Sequence, residues 1–243
     1  SLTPVLMPIY RLDADNYLFP HPDYFDAEED VVAIGGDLQP ERIRQAYQAG
    51  IFPWYNPGEP VTWWCPRKRM VLEPDAVHIS KSMRNVLNRK AFEITYNQAF
   101  PAVIEACQKT PRPGQDGTWL NDELKESLLA LHQSGWAFSV EAWREGKLQG
   151  GLYGLQAGGV FCGDSMFARE SNASKVAFIE ACRYFVQTGI KLIDCQVYTS
   201  HLASLGAREI PRSSFLLLLD RFRGKAPLLG KLNPPNKKGG FGL

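Results

Sequence analysis

The pattern of apolar and polar positions is clearest in the second half of the chain. From Gly150 to Met166, small, aromatic and aliphatic residues alternate about Gly158-Gly159, which predicts a hairpin of Gly151–Leu155 and Val160–Phe167. Ser171 or Asn172 then caps a helix in which Val176, Ala177, Ile179, Ala181, Cys182 and Phe185 form an apolar face, and Gly189 closes it. The run Lys191–Val197 is short, β-rich and bounded by Gly189 and the Thr199-Ser200 turn signal, so it reads as a strand. In one sheet this strand–helix–strand unit makes its outer strands parallel. A short helix from Ser200 to Gly206, the segment Arg208–Arg212 and a leucine-rich helix around Phe215–Leu219 follow.

Within the 191–197 strand, alternation puts Leu192, Asp194 and Gln196 on one face and Ile193, Cys195 and Val197 on the other. A carboxylate and an amide two residues apart on one face are costly if buried without partners. Either a neighbouring loop or helix cap satisfies them, or a reacting group does. Alternation also turns Cys195 away from that face, which assigns it to the core rather than to a nucleophilic pair with His201.

The first third differs. Residues 1–30 are proline-rich and loop-like, Val31–Leu38 is apolar, and Pro40–Gly50 reads as a helix with proline at its start and glycine at its end. From Ile51 to Pro66, Trp54, Trp63 and Trp64 stand among four prolines, a composition that argues against a regular helix or a central strand. These rings either plug a domain junction or form stacking platforms at the mouth of a site. Basic residues cluster next, at Arg67-Lys68-Arg69 and along Ser80–Lys90. There Met83, Val86 and Leu87 make an inward face and Lys81, Arg84, Asn85 and Asn88 an outer one. Such a face is either simply solvated or a phosphate contact. The shift in texture predicts a small N-terminal domain over residues 1–65, a larger one over 66–232 and a loose tail over 233–243.

Composition narrows the chemistry. With 243 residues and a net charge of +1, the chain has no global basic field, so any nucleic-acid contact must be local. No stretch approaches membrane-spanning length, and five irregularly spaced cysteines read as reduced core residues. Neither zinc-ligand spacing nor a nucleotide-binding glycine loop is present. The expectation is a cytoplasmic protein with no metal and no cofactor.

An ordered set of motifs then resembles one family. Gly35-Gly-Asp-Leu, Gly50-Ile-Phe-Pro-Trp, Trp63-Trp, His78-Ile-Ser-Lys-Ser-Met, Gly117-Thr-Trp, Phe161-Cys-Gly-Asp-Ser-Met-Phe, Asn172-Ala-Ser-Lys, Leu192-Ile-Asp-Cys-Gln and Ala203-Ser-Leu-Gly-Ala together look like leucyl/phenylalanyl-tRNA–protein transferase. The resemblance implies an α+β fold: a GNAT-like acyltransferase domain with a central mixed sheet flanked by helices, beside a smaller N-terminal α/β domain. It implies transfer of Leu, Phe and, less well, Met from aminoacyl-tRNA to proteins with N-terminal Arg or Lys, without ATP or coenzyme A, which marks them for N-degron degradation. Nothing in the chain calls for an oligomer, so a monomer is expected.

The resemblance also implies site residues. Asp194 and Gln196 match the catalytic pair. A neutral amide is too weak a base to hold a proton, so the expected role of Gln196 is to orient the attacking amine, with Asp194 polarising it. Asp164 matches a site carboxylate, usually the longer glutamate, whose task is to hold the acceptor ammonium, its basic side chain or the substrate ribose. Phe161, Met166, Leu152 and Phe178 match the amino-acid pocket, and Ala181 replaces a second aromatic, predicting a roomier pocket shifted toward Phe. Trp54 and Trp119 match the rings that hold the terminal adenosine. Arg67, Lys68, Arg69, Lys81 and Arg84 are the candidate phosphate contacts. A coenzyme A-dependent acetyltransferase would need a pyrophosphate loop, and Ala168–Lys175 lacks its glycine pattern. A non-enzymatic RNA-binding module would leave Asp194 and Gln196 without a task.

Overall fold

The computed structural model describes residues 9–110 and 121–236. Trp119 and the Gly117-Thr-Trp motif lie outside them. The first third builds a four-stranded sheet: β1 (Tyr10–Leu12), β2 (Val31–Gly35), then, after helix α1 (Pro40–Gln48), β3 (Phe52–Pro53) and β4 (Thr62–Trp64). Its order is β1-β2-β4-β3, so Trp63 and Trp64 sit on an inner strand. This corrects the expectation drawn from proline content. The prolines flank β4 or, at Pro53, occupy the edge strand β3, where a missing N–H costs no ladder bond. Trp63 is fully buried and donates from Nε1 to the Gly35 carbonyl at 2.8 Å.

A second, seven-stranded sheet carries the rest. Its elements in chain order are β5 (Lys68–Leu72), α2 (Lys81–Asn88), β6 (Glu93–Tyr96), α3 (Phe100–Lys109), α4 (Asp122–Gln133), β7 (Ala137–Arg144), β8 (Lys147–Ala157), β9 (Val160–Ala168), α5 (Ala173–Thr188), β10 (Leu192–Gln196), α6 (Ser200–Ser204), β11 (Arg208–Pro211) and α7 (Arg212–Arg221). The strand order is β11-β5-β10-β9-β8-β7-β6. The expected hairpin is β8–β9, turning at Gly158-Gly159, and β10 pairs parallel with β9 after the α5 crossover. The mixed α+β architecture matches the expectation. Asn172 precedes α5 with φ +69°, but its side chain makes no cap bond, unlike the Ser80 hydroxyl, which accepts from the Met83 N–H of α2 at 3.2 Å. Gly150 lets α5 lie against β8: a Cβ there would come within 2.6 Å of the Ala173 Cβ.

Apolar side chains cover both faces of the large sheet. On one face, Leu128, Tyr153, Leu192 and Phe215 join a core that continues through Trp63 and Ile43 of the small-sheet region. On the other, Phe161, Phe178, Ile193 and Cys195 pack with α2 and α5. The segment after Lys231 is not loose at its start. The Asn236 side chain accepts from the Tyr96 N–H at 2.7 Å and donates to the Tyr96 carbonyl at 3.0 Å, satisfying the edge of β6 as a further strand would. Among the described residues, no helix is long and apolar enough to cross a membrane.

Candidate active site

A cavity of about 590 Å³ opens between β9, β10 and α5. Leu152, Phe161, Met166 and Phe178 line it as expected, with Ala181 in its wall. Phe185, Ile193, Cys195 and Val197 line it too, and none of them was singled out as a pocket residue from the sequence. Its walls are thus mostly apolar, while Asp164, Ser165, Gln196, Thr199 and His201 supply polar groups.

Alternation along β10 therefore runs opposite to the expectation. The face carrying Ile193 and Cys195 looks into the cavity, while Asp194 lies buried behind it. Cys195 faces the cavity as a thiol that burial, reinforced by the Asp194 charge, pushes well above the usual range, so it is protonated near pH 7. His201, also in the lining, is shifted down by burial and by the nearby Lys175 ammonium, so it is a neutral imidazole near pH 7.

Gln196 reaches the cavity because the strand breaks its pattern there. Its φ is +67°, the ladder with β5 slips between Asp194 and Gln196, and the Val197 N–H donates to the Cys195 carbonyl at 2.9 Å. A bond from residue i+2 back to i around a positive φ is the strained form of the γ-turn. It is rare for any residue with a Cβ, and such strain gathers at functional sites.

Two carboxylates then divide the work of holding Gln196. Asp194, 1% exposed, accepts the Gln196 backbone N–H at 2.9 Å and makes a bidentate ion pair with Arg69, Nε at 2.8 Å and Nη2 at 2.6 Å. It meets the backbone of Gln196 rather than its side-chain amide, which corrects the expected polarising contact. Asp164 takes that place: Gln196 Nε2 donates to its Oδ1 at 3.2 Å. Tyr47 of α1 and Tyr153 of β8 donate to the same carboxylate at 2.5 and 2.8 Å. Burial first, and then the Asp164 charge, push both phenols well above their usual range, so they remain donors. An ionised carboxylate can only accept. With Nε2 turned to Asp164, Oε1 remains as the acceptor of a side chain that lines the cavity. Neither tyrosine was picked out from the sequence. Tyr47 lies 117 positions from Asp164, and nothing local marks it.

The other candidates separate. Arg69 is 2% exposed, and with its guanidinium spent on Asp194 and the Gly50 carbonyl it is not available to a phosphate. Arg67 is half-exposed and paired with Asp30 at 3.0 Å, while Lys68, Lys81 and Arg84 are exposed. Trp54 lies outside the cavity lining. It follows β3 with its ring edge-on to Trp64, centroids 5.2 Å apart, and its carbonyl accepts from Trp64 Nε1.

A family model described as leucyl/phenylalanyl-tRNA protein transferase matches residues 71–220, and one for the N-terminal domain of that family matches residues 36–67. A leucyl/phenylalanyl-tRNA–protein transferase of Flavobacterium johnsoniae is 56% identical over 192 residues, covering 79% of this chain and 91% of that protein. One from Myxococcus xanthus is 50% identical over 226 residues, covering 93% and 96%. Among solved structures, a conserved protein of unknown function from Bacteroides thetaiotaomicron aligns with a TM-score of 0.42 and 16% identity, over 56% of this chain and 53% of that one, a likeness too slight to carry weight.

Proposed function

This chain belongs to the leucyl/phenylalanyl-tRNA–protein transferase family, and from that premise we propose how its site carries out the transfer. The protein is an aminoacyltransferase that moves Leu, Phe and, less well, Met from aminoacyl-tRNA to the α-amine of proteins beginning with Arg or Lys. We read the large sheet with its β9–α5–β10 crossover as a GNAT-like acyltransferase domain over residues 66–232, and residues 1–65 as the smaller domain that brings Trp54 toward the substrate. The protein works in the cytoplasm as a monomer.

The reaction is aminolysis of an ester. The acceptor nitrogen bonds to the carbonyl carbon, the bond to the ribose oxygen breaks, and a proton passes from the nitrogen to the departing oxygen. An α-ammonium loses its proton with a pKa of about 8, so a neutral fraction is present at pH 7. The protein's main task is to hold that amine against the carbonyl. Gln196 Oε1 accepts an N–H of the amine and aims its lone pair, while Asp164, held by Tyr47 and Tyr153, fixes which way the carboxamide points. The apolar cavity takes the side chain of the transferred residue. Trp54 and Trp119 take the terminal adenosine, and Lys81, Arg84, Arg67 and Lys68 take phosphates of the acceptor stem.

The observation that carries this reading is the strained turn presenting Gln196 at the mouth of an apolar cavity. The test is transfer of label from radiolabelled Leu-tRNA to a protein with N-terminal Arg or Lys, without ATP or coenzyme A. Label should appear on the acceptor α-amine. Its absence with active substrates overturns the proposal.

A further inference from the structure

The γ-turn at Gln196 needs something to hold it, because a residue with a Cβ is strained at its φ of +67°. The strand ladder reaches it only past a slip: Gln196 still pairs with Met70 of β5, but the register shifts between Asp194 and Gln196. Beside the Val197 N–H bond across the turn and the Gln196 side-chain bond to Asp164, the contact on the Gln196 backbone itself is its N–H to Asp194 Oδ1. The Asp194 carboxylate is in turn fixed along its full edge by Arg69. The remaining arm of the guanidinium, Nη1, donates to the Gly50 carbonyl at 2.9 Å, and its faces lie against the rings of Phe52 and Phe215, 5.0 and 4.2 Å from their centroids. Arg69 is therefore tightly held: donors engaged at three nitrogens, two rings against the guanidinium, and almost no exposure to solvent.

Charge neutralisation alone does not call for this construction, since a lysine would neutralise Asp194 as well. What the guanidinium adds is a planar fork that sets the rotation of the carboxylate, and so the direction in which Oδ1 meets the Gln196 amide. We propose that Arg69 is a positioning residue for the transfer. It acts through Asp194 on the backbone of Gln196 and makes no contact with substrate. This rests on the reading of Gln196 given above.

The test uses Arg69→Lys, which keeps the charge and removes the fork. The transfer assay is run on folded enzyme, as judged by a cooperative thermal transition, with aminoacyl-tRNA and a model acceptor. The expected result is at least a tenfold loss in kcat, with KM for aminoacyl-tRNA within twofold of wild type. A purely structural role would lower the melting temperature and leave kcat per folded molecule unchanged, and that outcome overturns the proposal. Gln196→Gly, which has neither the side chain nor the backbone strain, completes the cycle. In that background Arg69→Lys should cost no further activity, because its route of action is already gone. An undiminished loss there means that Arg69 acts by another route and refutes the proposal. If Gln196→Gly alone keeps the full rate, it is the reading of Gln196 that fails. Should Arg69→Lys not fold, the paired replacement Arg69→Met with Asp194→Leu is measured instead, since apolar substitution of a buried ion pair is often tolerated. Reduced kcat in that folded protein supports the proposal, and wild-type kcat overturns it.

Discussion

Replacing Gln196 with glutamate separates a positioning amide from a base. The new carboxyl would lie where Gln196 Nε2 now sits, 3.2 Å from Asp164 Oδ1. Two unit negative charges at that distance repel by about 5 kcal/mol at an effective dielectric of about 20, equivalent to roughly 4 pK units. Water at the cavity mouth screens part of this, so the introduced group should titrate between about pH 6 and 8 instead of near 4.3. The new group is the one to carry the proton, because both Asp164 oxygens already accept O–H donors, Oδ1 from Tyr47 and Oδ2 from Tyr153. A protonated carboxyl copies the amide: its O–H donates to Asp164 and its carbonyl faces the cavity. Deprotonation ends the copy. The wild-type rate itself rises with pH as the acceptor amine loses its proton, so the ratio of variant to wild-type kcat/KM is the quantity to follow. It should be near one at about pH 6 and fall at least tenfold by about pH 9. A ratio that rises with pH would mean that a stronger base at this position speeds the reaction, and the positioning account would be wrong.

Other outcomes follow from the same geometry. Ala181→Phe, in the cavity wall, should cut kcat/KM for Phe-tRNA at least tenfold more than for Leu-tRNA, in the range of about 1–3 kcal/mol that one apolar contact can discriminate; an unchanged ratio in competition assays sinks the assignment. Lys81→Gln with Arg84→Gln should raise KM for tRNA, reduce the slope of log affinity against log salt by about 1–2, and spare turnover at saturating tRNA. Burial pushes the Glu141 carboxyl up from 4.5 to about 7, so the folded state holds its proton more tightly and this group's contribution to stability declines between those pH values, by about 3 kcal/mol. Denaturant melts across pH 4–8 should show that decline in the wild type and its absence in Glu141→Gln. Cys195→Ala should transfer at near the wild-type rate, whereas loss of activity beyond that explained by reduced stability would reinstate the thiol.

Local pattern carried much of the fold. The Gly158-Gly159 hairpin, the apolar face of α5 and the strand at 192–196 were legible because each element's period is written in consecutive residues. The pocket residues Leu152, Phe161, Met166 and Phe178 came from the family resemblance and share one cavity. The inner strand carrying Trp63 and Trp64 was missed because the prolines were weighed as a group. Only their individual positions, on the edge strand, in the connecting loop and after β4, decide whether they interrupt a ladder. The face of β10 was misassigned because two polar residues two positions apart were taken to mark the site's face. Regular alternation would have put both behind the cavity. The reversal at Gln196 brings one of them to its mouth, and glutamine carries no local signal of a positive φ.

The basic run at Arg67–Arg69 shows why a charge cluster on a strand is weak evidence for a charged surface. Successive side chains on β5 leave by opposite faces, so Lys68 goes to solvent while Arg69 is driven into the core. β5 is also an inner strand, between β11 and β10, and a guanidinium buried on its face needs a carboxylate. Asp194, 125 positions away on the adjacent strand, is the one it meets. The two charges that looked unrelated in sequence, one assigned to tRNA and one to catalysis, thus satisfy each other. Because Asp194 is engaged by Arg69 and by a backbone amide, it has little left to offer a reacting proton. The carboxylate with a side-chain contact to Gln196 is Asp164, on β9, and any proton relay through this site has to be sought there rather than along β10.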